Sequence, residues 1–275
     1  KKSILFFEKQ LYFAKARIMD ASERKNFILD KINQNGIVKI SDISNELSVS
    51  RETIRKDIYQ LGNKHLLKVI RGGAEAITQN IRETSFNTRK RKNVEGKIQI
   101  AKTALSEIHS NSSIYLDFGS TTYILARQIV NSSLTNLTIV TNSLNIANVI
   151  KANQDIELVI LGGIFRPGEN SLSGPLAANN IHNIYCDIGF FSCGGLDTDA
   201  GITNHFFNEV EVSKRMMSHS QRHVVLADHS KFNRKALYQT SDLSDMDEII
   251  TDKIDAGSST QKYAEKGVNL IASIS

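Results

Sequence analysis

Residues Asp117, Phe118, Gly119, Ser120, Thr121 and Thr122 follow one another in an arrangement that suits anion binding. The glycine lets a ligand approach the backbone, and the hydroxyls stand beside the N–H groups that open the next helical pattern, which is the chemistry of a phosphate cradle. Thr141, Asn142 and Ser143, the pair Gly162 and Gly163, the stretch Gly194, Gly195, Leu196 and Asp197, and Asp228 with Ser230 and Lys231 place similar groups at four further points. Each is also ordinary turn or helix-cap chemistry when taken alone. Together, a Ser/Thr cradle facing a lysine suits a phosphorylated, hydroxyl-rich small molecule. The expected contacts are Asp117, Gly119, Ser120, Thr121 and Thr122 in the first turn, Thr141, Asn142 and Ser143 in the second, then Gly162, Gly163, Gly195 and Lys231.

A second group is cationic. Ile54, Ile58 and Leu61 recur at helical spacing, and the opposite face carries Arg51, Glu52 and Thr53 in the first turn after a Ser50 cap, with Arg55 and Lys56 beyond. The first turn of such a helix points at base edges, and the two later cations can reach flanking phosphates. Two short extended runs, 66–70 and 74–78, meet at Arg71, Gly72 and Gly73 and form a hairpin able to lie along a DNA backbone as a wing. The plainer alternative is a solvated cationic helix on an unrelated three-helix domain.

The elements that must position these groups follow from periodicity and punctuation. Ser22 is expected to cap a first helix carrying Phe27, Ile28 and Ile32, stopped by Asn35 and Gly36. Val38 and Ile40 make a short extended piece, Ser41 caps a second helix with Ile43 and Leu47, and Ser48 and Val49 turn the chain into the third. Three short helices with a tight turn before the last form a helix-turn-helix. From 79 to 97 the chain is polar and includes Arg89, Lys90, Arg91 and Lys92, which reads as an exposed connection. Beyond it, strands near 113–117, 137–141, 156–161, 187–192, 223–228 and 248–251 alternate with helices near 98–108, 121–130, 144–152, 176–183 and 207–218. That alternation predicts an α/β fold, a mostly parallel sheet with helices on both faces and its ligand beyond the carboxyl ends of the strands.

Composition narrows the class. Hydrophobic residues at 40%, charged residues at 23% and only 2 Pro among 275 residues describe a globular protein. The most apolar stretch, 156–165, contains the glycine pair and is far short of the roughly 20 residues of a membrane span, so no membrane partner is expected. The net charge of +5 is uneven: residues 20–94 hold about 15 Lys and Arg against about 9 Asp and Glu, and residues 95–275 about 14 against about 19. A basic module therefore precedes a mildly acidic body. Cys186 and Cys193 lack CxxC spacing and the seven His are scattered, so reduced thiols, a cytoplasmic setting, no metal and no cofactor are expected. The expected organisation is an extension over 1–19, with Met19 as the native start, then a DNA-binding domain over 20–78, a basic linker over 79–96 and the α/β domain over 97–275.

Arg24, Ile28, Ile32, Ser50, Thr53, Ile54, Arg55, Lys56, Asp57 and Ile58, with Gly72, Gly73 and Ala74 behind them, resemble the N-terminal signature and wing of the DeoR-type bacterial transcription regulators. Val69, Ile70 and Arg71 stand where that family usually has Arg-x-His, so a contact specific to the His is not implied. The motifs at 117–122, 141–143, 162–163 and 228–231 resemble the family's effector domain, which is similar to ribose-5-phosphate isomerase. The resemblance implies a winged helix-turn-helix followed by a Rossmann-like sensor, and a repressor of carbohydrate-metabolism genes. The two-module pattern adds the expectation of a homo-oligomer, dimer or tetramer, that binds paired half-sites of double-stranded operator DNA and is released by a phosphorylated sugar. Two rival readings remain at this level. One is an isomerase-like enzyme using Asp197, Glu209, Glu211, Lys214 and Lys231; the other is a DNA-binding protein whose large domain only oligomerises.

Overall fold

In the computed structural model, which describes residues 20–35, 37–63, 66–75, 84–253 and 258–273, the chain divides into two units, Lys1–Gln79 and Asn80–Ser275. The expected extension over 1–19, the stop at Gly36 and the end of the second wing strand at 76–78 lie outside the described residues.

In the smaller unit, helix α1 (Ala21–Asn35) is capped by Asp20 and not by the expected Ser22. Asp20 Oδ1 accepts the N–H groups of Ser22 and Glu23 at 2.7 and 2.8 Å, and Glu23 returns a carboxylate to the Asp20 N–H. An aspartate followed three residues later by a glutamate forms a reciprocal capping box, which a serine inside the first turn cannot match. Strand β1 (Ile37–Lys39) runs directly into α2 (Ile40–Leu47), so the expected Ser41 cap is not made. The Ile40 N–H is satisfied by the Gly72 carbonyl at 2.9 Å, and the Ser41 hydroxyl turns to Asp42. Ser48 takes a left-handed backbone (φ 53°) at the tight turn, and Ser50 caps α3 (Arg51–Asn63) by accepting the Thr53 N–H at 3.2 Å, as expected.

Ile28, Ile32, Ile43, Ile54 and Ile58 are fully buried between these helices, and a buried ion pair, Arg24 with Asp57, ties α1 to α3. Strands β2 (Lys68–Ile70) and β3 (Gly73–Glu75) form an antiparallel wing that β1 extends to three strands in the order β1-β3-β2. Gly73 lies inside β3 and not in the turn. Any side chain there would strike the carbonyl of Val38 on β1, so the close approach of the two strands demands a glycine.

The larger unit opens with helices α4 (Phe86–Arg91) and α5 (Val94–Leu105). Seven parallel strands follow, β4 (Ser113–Leu116), β5 (Leu137–Thr141), β6 (Ile156–Ile160), β9 (Cys186–Phe191), β12 (Ser220–Leu226), β14 (Glu248–Thr251) and β15 (Asn269–Ala272). They form one sheet in the order β15-β14-β12-β9-β4-β5-β6. Helices α5, α6 (Ser120–Val130) and α7 (Leu144–Ile150) bury Ile100, Leu125 and Ile146 against one face, where Ile114 and Leu116 point. The other face, with Tyr115 and Phe191, is covered by α8 (Pro175–Asn180), α9 (Phe207–Met217) and α10 (Ser258–Glu265).

Strict alternation of strand and helix is not observed. A hairpin of β7 (Ile164–Arg166) and β8 (Ser171–Ser173) intervenes after β6. A separate three-stranded sheet of β10 (Gly195–Asp197), β11 (Gly201–Asn204) and β13 (Tyr238–Ser241) is inserted around β12. These short strands lie among turn residues such as Pro167, Gly168, Gly195 and Gly201, which read as loops. Nor is the basic run an exposed connection: Phe86 is buried, Arg89 is mostly covered, and α5 begins at Val94 where a helix from 98 was expected.

Candidate functional site

The chain leaves β4 outward through β5 and β6, then returns to place β9 on the other side of β4. The order reverses between β4 and β9, and the crevice outside their carboxyl ends is where a doubly wound sheet holds ligands. Asp117 ends the β4 side and Ser192 the β9 side.

Asp117 is fully buried and its carboxylate is committed to the protein. It accepts the Ser192 N–H at 3.2 Å and the hydroxyls of Ser192, Tyr115 and Ser213 at 3.0, 3.1 and 3.2 Å. Burial raises its pKa, opposed by the N–H groups of Ser192 and Phe118 and by those hydroxyls. Expected as a direct contact, Asp117 has no surface to offer and instead ties β4, β9 and α9 together. Tyr115, Ser192 and Ser213 were not expected here, because only the tertiary register brings them to Asp117.

Gly119 is the N-cap of α6 and makes no side-chain cap, so the first N–H groups of that helix lack the oxygen a Ser or Asp would supply. A Cβ on Gly119 would collide with Ser192. Ser120 and Thr121 occupy the first turn and are 6% exposed, and the Thr122 hydroxyl is spent on the carbonyls of Asp117 and Gly119 at 2.6 and 2.8 Å. The second turn is also engaged internally. The Thr141 hydroxyl donates to the Leu116 carbonyl, Asn142 Nδ2 donates to the Leu172 carbonyl, and Ser143 caps α7 at the Ile146 N–H.

Lys231 ends a short 3-10 turn after β12 and is half-buried. Burial pushes the Cys193 thiol, two residues beyond β9, up to about 12, opposed by the nearby Lys231 charge. Asp228 accepts the Ser230 N–H at 3.0 Å and faces Lys97 of α5 at 3.5 Å, both side chains almost wholly buried. Burial lowers the Lys97 pKa against the pull of Asp228. Gly119, Ser120 and Thr121 stand together at the start of α6, and Lys231 follows β12, which pairs with β9 in the same sheet. Gly162 and Gly163 lie half-buried in the connection from β6 to β7, and Gly195 starts β10 against the Arg234 carbonyl.

The residues of the enzyme reading are dispersed. Glu209 is 1% exposed and held by Arg166 and the Ser171 hydroxyl, Asp197 pairs with Lys235 at 3.3 Å, and Glu211 and Lys214 are exposed on α9. Among the described residues no group of His, Cys, Asp and Glu is placed to hold a metal ion, and no helix is long and apolar enough to cross a membrane.

On the smaller unit, Ser50, Arg51, Glu52, Arg55 and Lys56 are exposed and Thr53 is partly so, opposite the buried face of Ile54, Asp57 and Ile58. Arg55 and Glu52 pair at 2.6 Å, and Arg71 is exposed at the wing turn. Lys68 is matched across the wing by Glu75 at 2.7 Å.

Two family models match the chain: a DeoR-like helix-turn-helix domain over residues 24–80 and a DeoR C terminal sensor domain over residues 92–253. The glycerol-3-phosphate regulon repressor of Escherichia coli is 30% identical over 234 residues, which are 85% of this chain and 92% of the relative. The L-fucose operon activator of Haemophilus influenzae is 30% identical over 243 residues, 88% of this chain and 96% of the relative. Among solved structures, ribose 5-phosphate isomerase A from Methanocaldococcus jannaschii is similar at 18% identity with a TM-score of 0.39, over 51% of this chain and 55% of that one, a likeness too slight to carry an argument.

Proposed function

The chain belongs to the DeoR family of helix-turn-helix transcription regulators, and from that premise we propose that it represses carbohydrate-metabolism genes and is released from its operator by a phosphorylated sugar. The observation that carries the effector half is the α6 N-terminus, which has no side-chain cap at the strand-order switch, with Ser120 and Thr121 in its first turn; Lys231, after β12 in the same sheet, is its proposed cationic partner. Bare N–H groups, a helix dipole and one ammonium are a phosphate's partners. Gly119, Ser120, Thr121 and Lys231 are assigned to the phosphate. Asp117, Thr122, Thr141, Asn142 and Ser143 hold the turns in place, with Gly162, Gly163 and Gly195 shaping the loops around them.

Arg51, Glu52 and Thr53 are assigned to base edges, and Ser50, Arg55, Lys56 and Arg71 to phosphates of double-stranded DNA. The protein acts in the cytoplasm as a dimer or tetramer, since paired half-sites match a symmetric protein. Repression fits the E. coli relative's name, and the H. influenzae relative's name shows that the family also contains an activator. An isomerase reading needs an available carboxylate base, and Glu209, bound to Arg166 and Ser171, does not provide one.

The test is fluorescence anisotropy with DNA from upstream of the protein's own and neighbouring genes, at fixed salt, with glycerol 3-phosphate and a panel of pentose and hexose phosphates. Release by one compound, lost in Lys231→Ala while ligand-free DNA affinity is kept, is the expected result. Specific DNA binding that no compound alters would overturn the sensing half, and turnover of a sugar phosphate without specific DNA binding would favour the enzyme.

A further inference from the structure

Helices α4 and α5 are the first described elements after the wing; they contact Tyr123 of α6 and Asp228 directly, and the 141–143 turn through the β7–β8 hairpin. Phe86 packs edge-on against Tyr123 with ring centroids 5.7 Å apart, and Lys90 Nζ sits 3.0 Å from the Tyr123 hydroxyl. Tyr123 lies in the first turn of α6, directly after Ser120, Thr121 and Thr122. Arg89 reaches in another direction, its guanidinium donating to both carboxylate oxygens of Glu169 in the β7–β8 turn, one at 2.9 Å. That hairpin is stitched to the second crevice turn: the Glu169 carbonyl accepts Asn145 Nδ2 at 3.0 Å, and the Leu172 N–H donates to the Asn142 carbonyl at 2.8 Å. Lys97 completes the set, its ammonium bridging the Arg89 and Lys92 carbonyls and the Asp228 carboxylate, three residues before Lys231.

We propose that residues 86–97 are the element through which effector occupancy reaches the DNA-binding unit, with the Arg89–Glu169 pair as its joint; this rests on the sensing role proposed above. The ends of the joint are 15% and 2% exposed. Breaking a buried ion pair of this kind is costly, so its loss and its formation weigh on whether α4 stays docked. Coupling between distant sites needs an element whose equilibrium both sites bias, and this pair is proposed as that element. A phosphate on the α6 N-terminus and Lys231 acts on the two outer contacts of the segment, Tyr123 and Asp228, while the central contact at Glu169 sets whether α4 stays docked.

The test separates coupling from binding. The variant is the double substitution Arg89→Gln with Glu169→Gln, which keeps hydrogen-bonding groups and removes both charges together. Arg222→Gln, which breaks a pair with Glu107 and Glu248 elsewhere in the same unit, serves as the control for lost stability. Operator affinity is measured by anisotropy with and without the sugar phosphate that releases the wild type, and binding of that compound is followed by thermal shift.

An allosteric effect is commonly about 5- to 150-fold in affinity. In the double variant it should shrink towards onefold while compound binding stays within about twofold, and in Arg222→Gln it should persist. Hydrogen exchange in 86–97 should change when the compound is added to the wild type. A double variant that responds as the wild type does would overturn this inference and leave the sensing role standing. A wild type that responds to no compound would overturn both.

Discussion

Arg55 and Glu52 stand one turn apart on the exposed face of α3, joined at 2.6 Å. A surface pair of this kind is worth about 1 kcal/mol or less, so the arginine can leave it for a phosphate at little cost. Arg55→Ala should therefore weaken binding to all DNA sequences alike and reduce the slope of log affinity against log salt by about one, read from titrations across salt concentrations. An unchanged slope would remove Arg55 from the phosphate contacts. In the larger unit, the N–H and hydroxyl of Ser113 hold Asp187 below the usual carboxylate range. A group depressed in the folded state contributes stability above its unfolded pKa and loses it as pH falls through the folded one. Stability to urea should decline below about pH 4, and less steeply in Asp187→Asn, which has no proton to gain.

The wing shows how an element depends on one position. Gly73→Ala forces β3 away from the Val38 carbonyl, and the expected cost exceeds about 1 kcal/mol in urea denaturation, with weaker operator binding alongside. Full stability in that variant would show that the wing yields. The parallel strands β4, β5, β6, β9, β12 and β14 are legible in the sequence as short apolar runs between turn signals that alternate with helical patterns. The β7–β8 hairpin and the small β10-β11-β13 sheet are not, since their strands lie among turn residues such as Pro167, Gly168, Gly195 and Gly201. Helix α4 is hidden for another reason: Arg89, Lys90 and Arg91 look like a solvated run until Phe86 is seen buried and Ser85 capping at Thr88. In the site, glycine and hydroxyl chemistry picks out Gly119, Ser120 and Thr121, whereas Tyr115, Ser192 and Ser213 reach Asp117 only through strand register. Capping serines are overcounted for a similar cause. Asp20 and the Gly72 carbonyl satisfy the N–H groups that Ser22 and Ser41 were expected to serve.

At the scale of the whole chain, two units with separate cores should unfold in two calorimetric transitions. A sugar phosphate at about a hundred times its Kd should raise the stability of the larger unit by about 2.7 kcal/mol and leave the smaller unit's transition in place. A single transition that moves as one with ligand would count against independent units. The place of α4 in the larger unit also bears on how such regulators can be recombined. A chimera that joins a foreign DNA-binding unit upstream of Thr84 inherits α4 and its seat against Tyr123 and Glu169 intact. One spliced after Lys92 strips Glu169 of Arg89 and takes from Lys97 both carbonyls that hold its ammonium. Hybrids built with the second junction would recognise operators yet answer to no sugar, a failure of the graft and not of either parent.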